Sequence, residues 1–172
     1  MSCRYIVVVS VVIERDGCFL LLRRSTEKDH APGEWEVVSG RVHGDETPVD
    51  AARREAHEET GFDVTIAWPF DTFRFLRGPD KEPAIGVSFL AFAGVGEVAL
   101  SDEHDAAEWI PFERLREAPG GDDAMEAFKT FLDRLFEVSD AVPLPDPDSA
   151  RGNPFRSFST IDAYEEEVLG IG

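Results

Sequence analysis

Residues 4–15, "RYIVVVSVVIER", are rich in Val and Ile and predict a strand. Asp16-Gly17 supplies hairpin-turn chemistry, and "CFLLLRRS" returns as a second strand. The polar stretch 26–34, with Pro32-Gly33, reads as a loop before a short strand, "WEVVSG". At residue 47 the pattern changes to a helical one. Thr47 can cap free N–H groups, Pro48 suits the first helical position, and Asp50 completes a capping-box spacing. Gly61 is placed to end that helix in a left-handed conformation. Next, "FDVTIAWPFDTFRFL" and "AIGVSFLAFAGV" predict long strands joined by the turn-rich "RGPDKEP". "EVAL" and "AEWIP" are shorter strand candidates flanking the polar loop 101–105. Residues 112–118 and 122–136 read as helices, the second apolar along Met125, Phe128, Leu132 and Phe136. Strands interrupted by one early helix and followed by late ones predict an α+β fold, with a mixed sheet between helical layers.

The 172 residues, 42% of them hydrophobic and 13 of them Phe, supply one substantial core. From residue 137 the composition shifts to a Pro- and Asp-rich linker, "SDAVPLPDPDSARGNP". The expected division is a domain over 1–136 and a linker with a short tail over 137–172. Tail residues Phe155, Phe158, Ile161, Tyr164 and Leu169 read as a segment that docks on the domain or on a partner subunit, against the alternative of a free end, and contacts in a homodimer are the expectation. "YIVVVSVVI" is too short to span a bilayer and lacks the flanks of a signal peptide, so a cytoplasmic, membrane-free protein is expected. A net charge of −18 argues against gripping a nucleic-acid backbone over a broad surface. It leaves room for a small phosphorylated ligand held through a metal ion. Cys3 and Cys18 form neither a disulfide framework nor a zinc pattern and read as reduced thiols.

Candidate chemistry concentrates on the helix over 47–60. At about 100° per residue, Glu55, Glu58 and Glu59 share one face. Ala51 lies there too, and Val49, Ala52 and Ala56 form the adjoining apolar stripe. Such crowding of like charge costs stability unless a cation or a raised pKa relieves it. Taken alone, the face reads equally well as a solvated one neutralised by Arg53 and Arg54.

The flanking residues tip that balance. Gly40, Glu46, Arg54, Glu55, Glu58, Glu59 and Gly61 match G-x5-E-x7-R-E-x-x-E-E-x-G without a gap. This resembles the Nudix box, the signature of the Nudix hydrolase family, with Ala56 where the family usually has Leu, Val or Ile. The resemblance implies a Nudix-type α/β/α sandwich and a pyrophosphohydrolase acting on a nucleoside diphosphate derivative by water attack on phosphorus. It further implies Mg²⁺, with Mn²⁺ as the alternative, bound by the Gly40 carbonyl, Glu55, Glu58 and Glu59. Arg54 would hold the glutamates in place, and Glu46 would tie the loop to the helix. For the catalytic base, Glu103 on the loop before "AEWIP" competes with Glu55 and Glu58. His104 beside it reads as a partly exposed loop residue without a role. His30, His43 and His57 lack metal-ligand spacing, and His57 points away from the carboxylates.

Outside the box, Arg23 and Arg24 follow an apolar strand. Alternation allows only one of them to face the cleft and pair with substrate phosphate, and surface ion pairing is the competing reading. Trp35 and Phe75 are candidates for stacking on a base, against the alternative of core packing. The substrate itself stays open, with a nucleoside triphosphate or small dinucleotide slightly preferred. Two other readings remain beside the hydrolase: a catalytically silent nucleotide-binding module, and a diphosphate isomerase, for which Cys3 and Cys18 are poorly placed.

Overall fold

The computed structural model describes residues 4–27, 31–111, 114 and 130. Seven strands and one helix follow in the order β1 (Ile6–Arg15), β2 (Cys18–Arg24), β3 (Trp35–Glu36), β4 (Val38–Arg41), α1 (Pro48–Thr60), β5 (Val64–Arg77), β6 (Glu82–Ala93) and β7 (His104–Pro111). All seven strands join one sheet. It is mixed, because β1 runs parallel to β6 while the other pairs are antiparallel. A mixed sheet with α1 packed on it is the α+β class expected from the sequence. The helices expected over 112–136 and the segment over 137–172 lie outside the described residues, apart from Arg114 and Thr130. No helix among the described residues is long and apolar enough to cross a membrane.

β1 is the central strand, buried from Val8 to Glu14, as its unbroken apolar run requires. Its residues divide two apolar clusters. Val9, Val11 and Ile13 pack with Ala51, Ala52 and Ala56 of α1, while Val12 packs with Phe19, Leu21 and Leu90. One edge of β1 is taken from Ile6 to Glu14 by β6. The other edge forks: Val8 to Val11 pair with β4, whereas Glu14 and Arg15 pair with β2 across the Asp16-Gly17 turn. Asp16 and Gly17 both have positive φ, 52° and 82°, the geometry that suits the twist of a two-residue hairpin.

The fork corrects one expectation. "WEVVSG" is not a single strand: it breaks at Val37 into β3, which pairs with β2, and β4, which pairs with β1. A second correction concerns "EVAL", residues 97–100, which forms no strand. Its backbone serves the helix instead. The Ala99 N–H donates to the Thr60 carbonyl at 2.8 Å and the Ser101 N–H to the Glu59 carbonyl at 3.3 Å, so the segment satisfies carbonyls that a helix end leaves open.

α1 begins and ends as its sequence requires. Thr47 and Asp50 form a reciprocal capping box, with Pro48 at the first position. Gly61 adopts φ 74°, and a side chain there would also lie 2.9 Å from the Ala99 methyl. Helix, glycine and returning loop therefore lock together at this end.

Candidate active site

The helix face is not a solvated one. Glu55 and Glu59 are buried, and only Glu58 is exposed. Glu55 lies directly against Gly40 of β4: a Cβ built on Gly40 would meet the Glu55 carboxylate carbon at 1.8 Å. Absence of a side chain at residue 40 is what lets the helix bring a carboxylate onto the strand.

Arg54 organises this face. Its Nε and Nη2 donate to the two oxygens of Glu46 at 2.6 and 3.1 Å, and Nη2 also donates to the Arg41 carbonyl at 2.9 Å. Its Nη1 donates to Glu55 at 2.8 Å and to Glu58 at 3.1 Å. Glu46 takes a further bond from the His43 N–H at 3.0 Å. These contacts, the bonds from Arg54 first, hold Glu46 at a pKa of about 2 and push that of Arg54 above its usual value. The loop between β4 and α1 is thereby pinned to the helix.

Glu59 is different. One oxygen, Oε2, is buried without a hydrogen-bond partner among the described residues. Burial, then the nearby charges of Glu55, Glu36 and Glu103, push its pKa up to about 9, against a bond from the Ser39 N–H. Below that pH the carboxyl keeps its proton. The folded state therefore binds one more proton than the unfolded chain between pH 4.5 and about 9, and stability falls as pH rises through that window. Stripped of cations by a chelator, the protein is expected to show that slope in its thermal midpoint. A Glu59→Gln variant is expected to lose it; the same slope in both proteins would place the titrating group elsewhere.

The electrostatic neighbours of Glu59 bring Glu103 to the site, as the sequence suggested, and add Glu36, which it did not. Glu103 sits on the loop fastened to the end of α1, and its carbonyl accepts from the Ser25 N–H at 2.8 Å. Glu36 accepts from Arg24 Nη1 at 2.9 Å and lies 3.0 Å from His104 Nε2. The expectation of a partly exposed, idle loop histidine at 104 is overturned: His104 opens β7, its side chain is 1% exposed, and it holds Glu36. The cause is a register shift between β2 and β7. Arg23 pairs with Ala106 but Arg24 with His104, so Asp105 is skipped and His104 turns inward. The single acidic residue inside the apolar "WEVV" run was the available signal for Glu36; the bulge left none for His104.

Arg23 and Arg24 part ways, as alternation required. Arg24 joins Glu36, while Arg23 bonds Asp105 at 2.6 Å near the surface and lies over the Trp35 ring at 5.8 Å. Trp35 packs against the second apolar cluster. Phe75 stands 5.5 Å from Phe73 near the end of β5. His57 is exposed and bonds Asp63, away from the carboxylates. His30 and Cys3 lie outside the described residues.

Among the described residues, no three carboxylate, imidazole or thiol groups converge on one point as the side chains stand. The donor set nevertheless fits a hard divalent cation. It offers a buried carboxylate oxygen with no partner, a second carboxylate cradled on a glycine, and a third that is exposed.

Residues 4–131 match the NUDIX domain. The chain belongs to the NUDIX family. Membership carries the general reaction of that family's hydrolases, cleavage of a pyrophosphate bond. Among NUDIX relatives, the nucleoside triphosphatase NudI of Salmonella paratyphi B is 29% identical over 117 residues, spanning 63% of this chain and 83% of that protein. An octanoyltransferase of Myxococcus xanthus is 36% identical over 111 residues, 57% of this chain, but the match spans only 30% of that protein. The MutT protein of Methanosarcina mazei superposes with a TM-score of 0.63 at 28% identity, covering 78% of this chain and 96% of its own.

Proposed function

We propose that this protein is a divalent-cation-dependent hydrolase that cleaves the pyrophosphate bond of a small nucleotide, with nucleoside triphosphates the first class to test. The observation that carries the reading is the placement of Glu55 on Gly40 beside the buried, partnerless oxygen of Glu59. Gly40, Glu55, Glu58 and Glu59 would hold Mg²⁺ or Mn²⁺, which when bound neutralises phosphate oxygens and acidifies a water. Arg54 fixes Glu55 and Glu58 from behind, and its bidentate grip on Glu46 keeps the loop before α1 from drifting. Glu103, in competition with Glu55 and Glu58, would take a proton from the attacking water, a reading supported by its exposure, its effect on Glu59 and its loop's bonds to α1. Arg24 and His104 both bond Glu36 Oε1 and hold it as a further carboxylate close to Glu59. The relative named as a nucleoside triphosphatase supports the substrate preference.

The test is phosphate and pyrophosphate release from a panel of nucleotides and nucleotide sugars with Mg²⁺ or Mn²⁺, run beside Glu59→Gln. Turnover is expected in the wild type, with a loss on the order of 10³-fold in the variant, about 4 kcal/mol of transition-state stabilisation. A wild type that binds cation and nucleotide but turns over nothing in the panel would instead favour a binding module.

A further inference from the structure

A cavity of about 590 Å³ lies between the end of β4 and the hairpin joining β5 to β6. Phe75, Leu76 and Pro79 form its apolar wall, and Arg41 and Arg77 bring two guanidinium-bearing side chains to it. Arg23 has Asp105, Arg24 has Glu36 and Arg54 has three glutamates. Arg41 and Arg77, by contrast, make no ion pair or side-chain hydrogen bond with any described residue. Glu82, the one carboxylate among the described residues of the cavity wall, bonds to neither. The pKa of Arg77 is lowered, by burial first and then by the neighbouring charges of Arg41 and Arg24. Arg77 therefore stands within electrostatic reach of both Arg41 and Arg24, and of the three only Arg24 has a carboxylate among the described residues. In a chain of net charge −18, with 35 acidic side chains available, that concentration is unfavourable until an anion joins it.

We propose that Arg41 and Arg77 form a phosphate subsite, holding a phosphate group of the substrate beyond the two joined by the cleaved bond. Its link to the carboxylates runs through Arg24. Alternation turns the Arg41 side chain to the sheet face opposite Gly40 and Glu55, but the charge of Arg24 reaches Arg77, and Arg24 bonds Glu36, which lies close enough to act on Glu59. A ligand occupying the cavity therefore borders the group of charges that includes Glu36 and Glu59. Two guanidiniums suit the oxygens of a phosphate dianion, and the apolar wall accommodates the neutral body of a nucleoside. The inference rests on the hydrolase reading above and sharpens it: the substrate class is nucleotides with three or more phosphates, rather than nucleotide sugars.

The first readout needs no turnover. Binding of inorganic tripolyphosphate to the full chain is measured by calorimetry after cations are removed on a chelating resin. Arg41→Gln, Arg77→Gln and Arg74→Gln are compared with the wild type. Arg74 lies on the same hairpin, stacks over Tyr5, and controls for net charge. Arg41→Gln and Arg77→Gln are each expected to weaken binding about tenfold, as loss of a charged hydrogen-bond donor does. Arg74→Gln is expected to change it less than about twofold, as a charge outside the cavity would. Equal weakening by all three, or no detectable binding to the wild type, overturns the subsite. Because Arg77 has no partner among the described residues, Arg77→Gln is also expected to keep or raise the thermal midpoint; a fall marks a structural role and overturns the proposal.

In turnover, the two cavity variants are expected to raise KM for a nucleoside triphosphate about tenfold at constant kcat, the mark of lost uniform binding. Tripolyphosphate binding that depends on both arginines, with no nucleotide turned over, leaves the subsite standing and removes the hydrolase reading. Turnover lost in Glu59→Gln, with tripolyphosphate binding indifferent to both arginines, does the reverse.

Discussion

Gly40→Ala is expected to lower cation-dependent turnover on the order of 10³-fold while leaving the protein folded. The new Cβ would lie 1.8 Å from both Cδ and Oε1 of Glu55, so one of the two must move. Gly40 is paired with Val9 in a regular strand and has no positive φ, so alanine suits its backbone. The Glu55 carboxylate, at the end of a flexible side chain, is what yields. Displacing it costs the fold about 1–2 kcal/mol, as overpacking does. The functional cost is larger, because the carboxylate leaves β4 and its bond to Arg54 is disturbed. Circular dichroism, thermal midpoint and kcat/KM in Mg²⁺ check this together. Full activity in a folded Gly40→Ala protein would show that catalysis does not need Glu55 where it stands.

The second large effect is expected from Arg54, for a different reason. Arg54→Ala removes bonds to Glu46, Glu55, Glu58 and the Arg41 carbonyl at once. Three carboxylates then face one another without a cation between them. Cation affinity is expected to fall about 10–100-fold, the usual effect of removing a group that orients ligands. Arg54→Lys is expected to recover little, since a single ammonium cannot serve Glu46 through two oxygens and still reach Glu55. Acid stability supplies an independent check. Glu46 has its pKa depressed to about 2, so its contribution is present above 4.5 and lost as pH falls through 2. Without Arg54 that contribution is gone, and acid unfolding is expected to begin at higher pH. Titration of both proteins by fluorescence measures it; coincident acid transitions would mean the Arg54–Glu46 pair does not stabilise the fold.

Much of the site was legible because its signals are local. Thr47, Pro48, Asp50 and Gly61 define a helix through capping and backbone preference, and each acts within a few residues of itself. Glu55, Glu58 and Glu59 lie at fixed helical spacing, so their common face follows from geometry alone. Non-local features were not legible. The split of "WEVVSG" depends on two different partner strands, and the loss of a strand at 97–100 depends on the open carbonyls of a helix some forty residues earlier. His104 depends on a one-residue slip between β2 and β7. Period-two reasoning assumes unbroken pairing, so a bulge defeats it at the residue where side chains are re-aimed. Glu36 went unseen for a related reason: its importance comes from Arg24, His104 and Glu59, brought to it by three separate elements.

The fastening of the 99–103 loop to the last turn of α1 has a mechanical consequence. Glu55, Glu58 and Glu59 ride on the helix, and Glu103 is moored to the same helix end through the Thr60 and Glu59 carbonyls. Glu103 and the helix carboxylates thus travel as one piece when the molecule flexes, and their mutual spacing is insulated from movement elsewhere. The hairpin bearing Phe75 and Arg77 shares no such mooring. Its tip can lengthen, shorten or change residues without retuning the reaction centre, so ligand preference in this scaffold can drift independently of its chemistry.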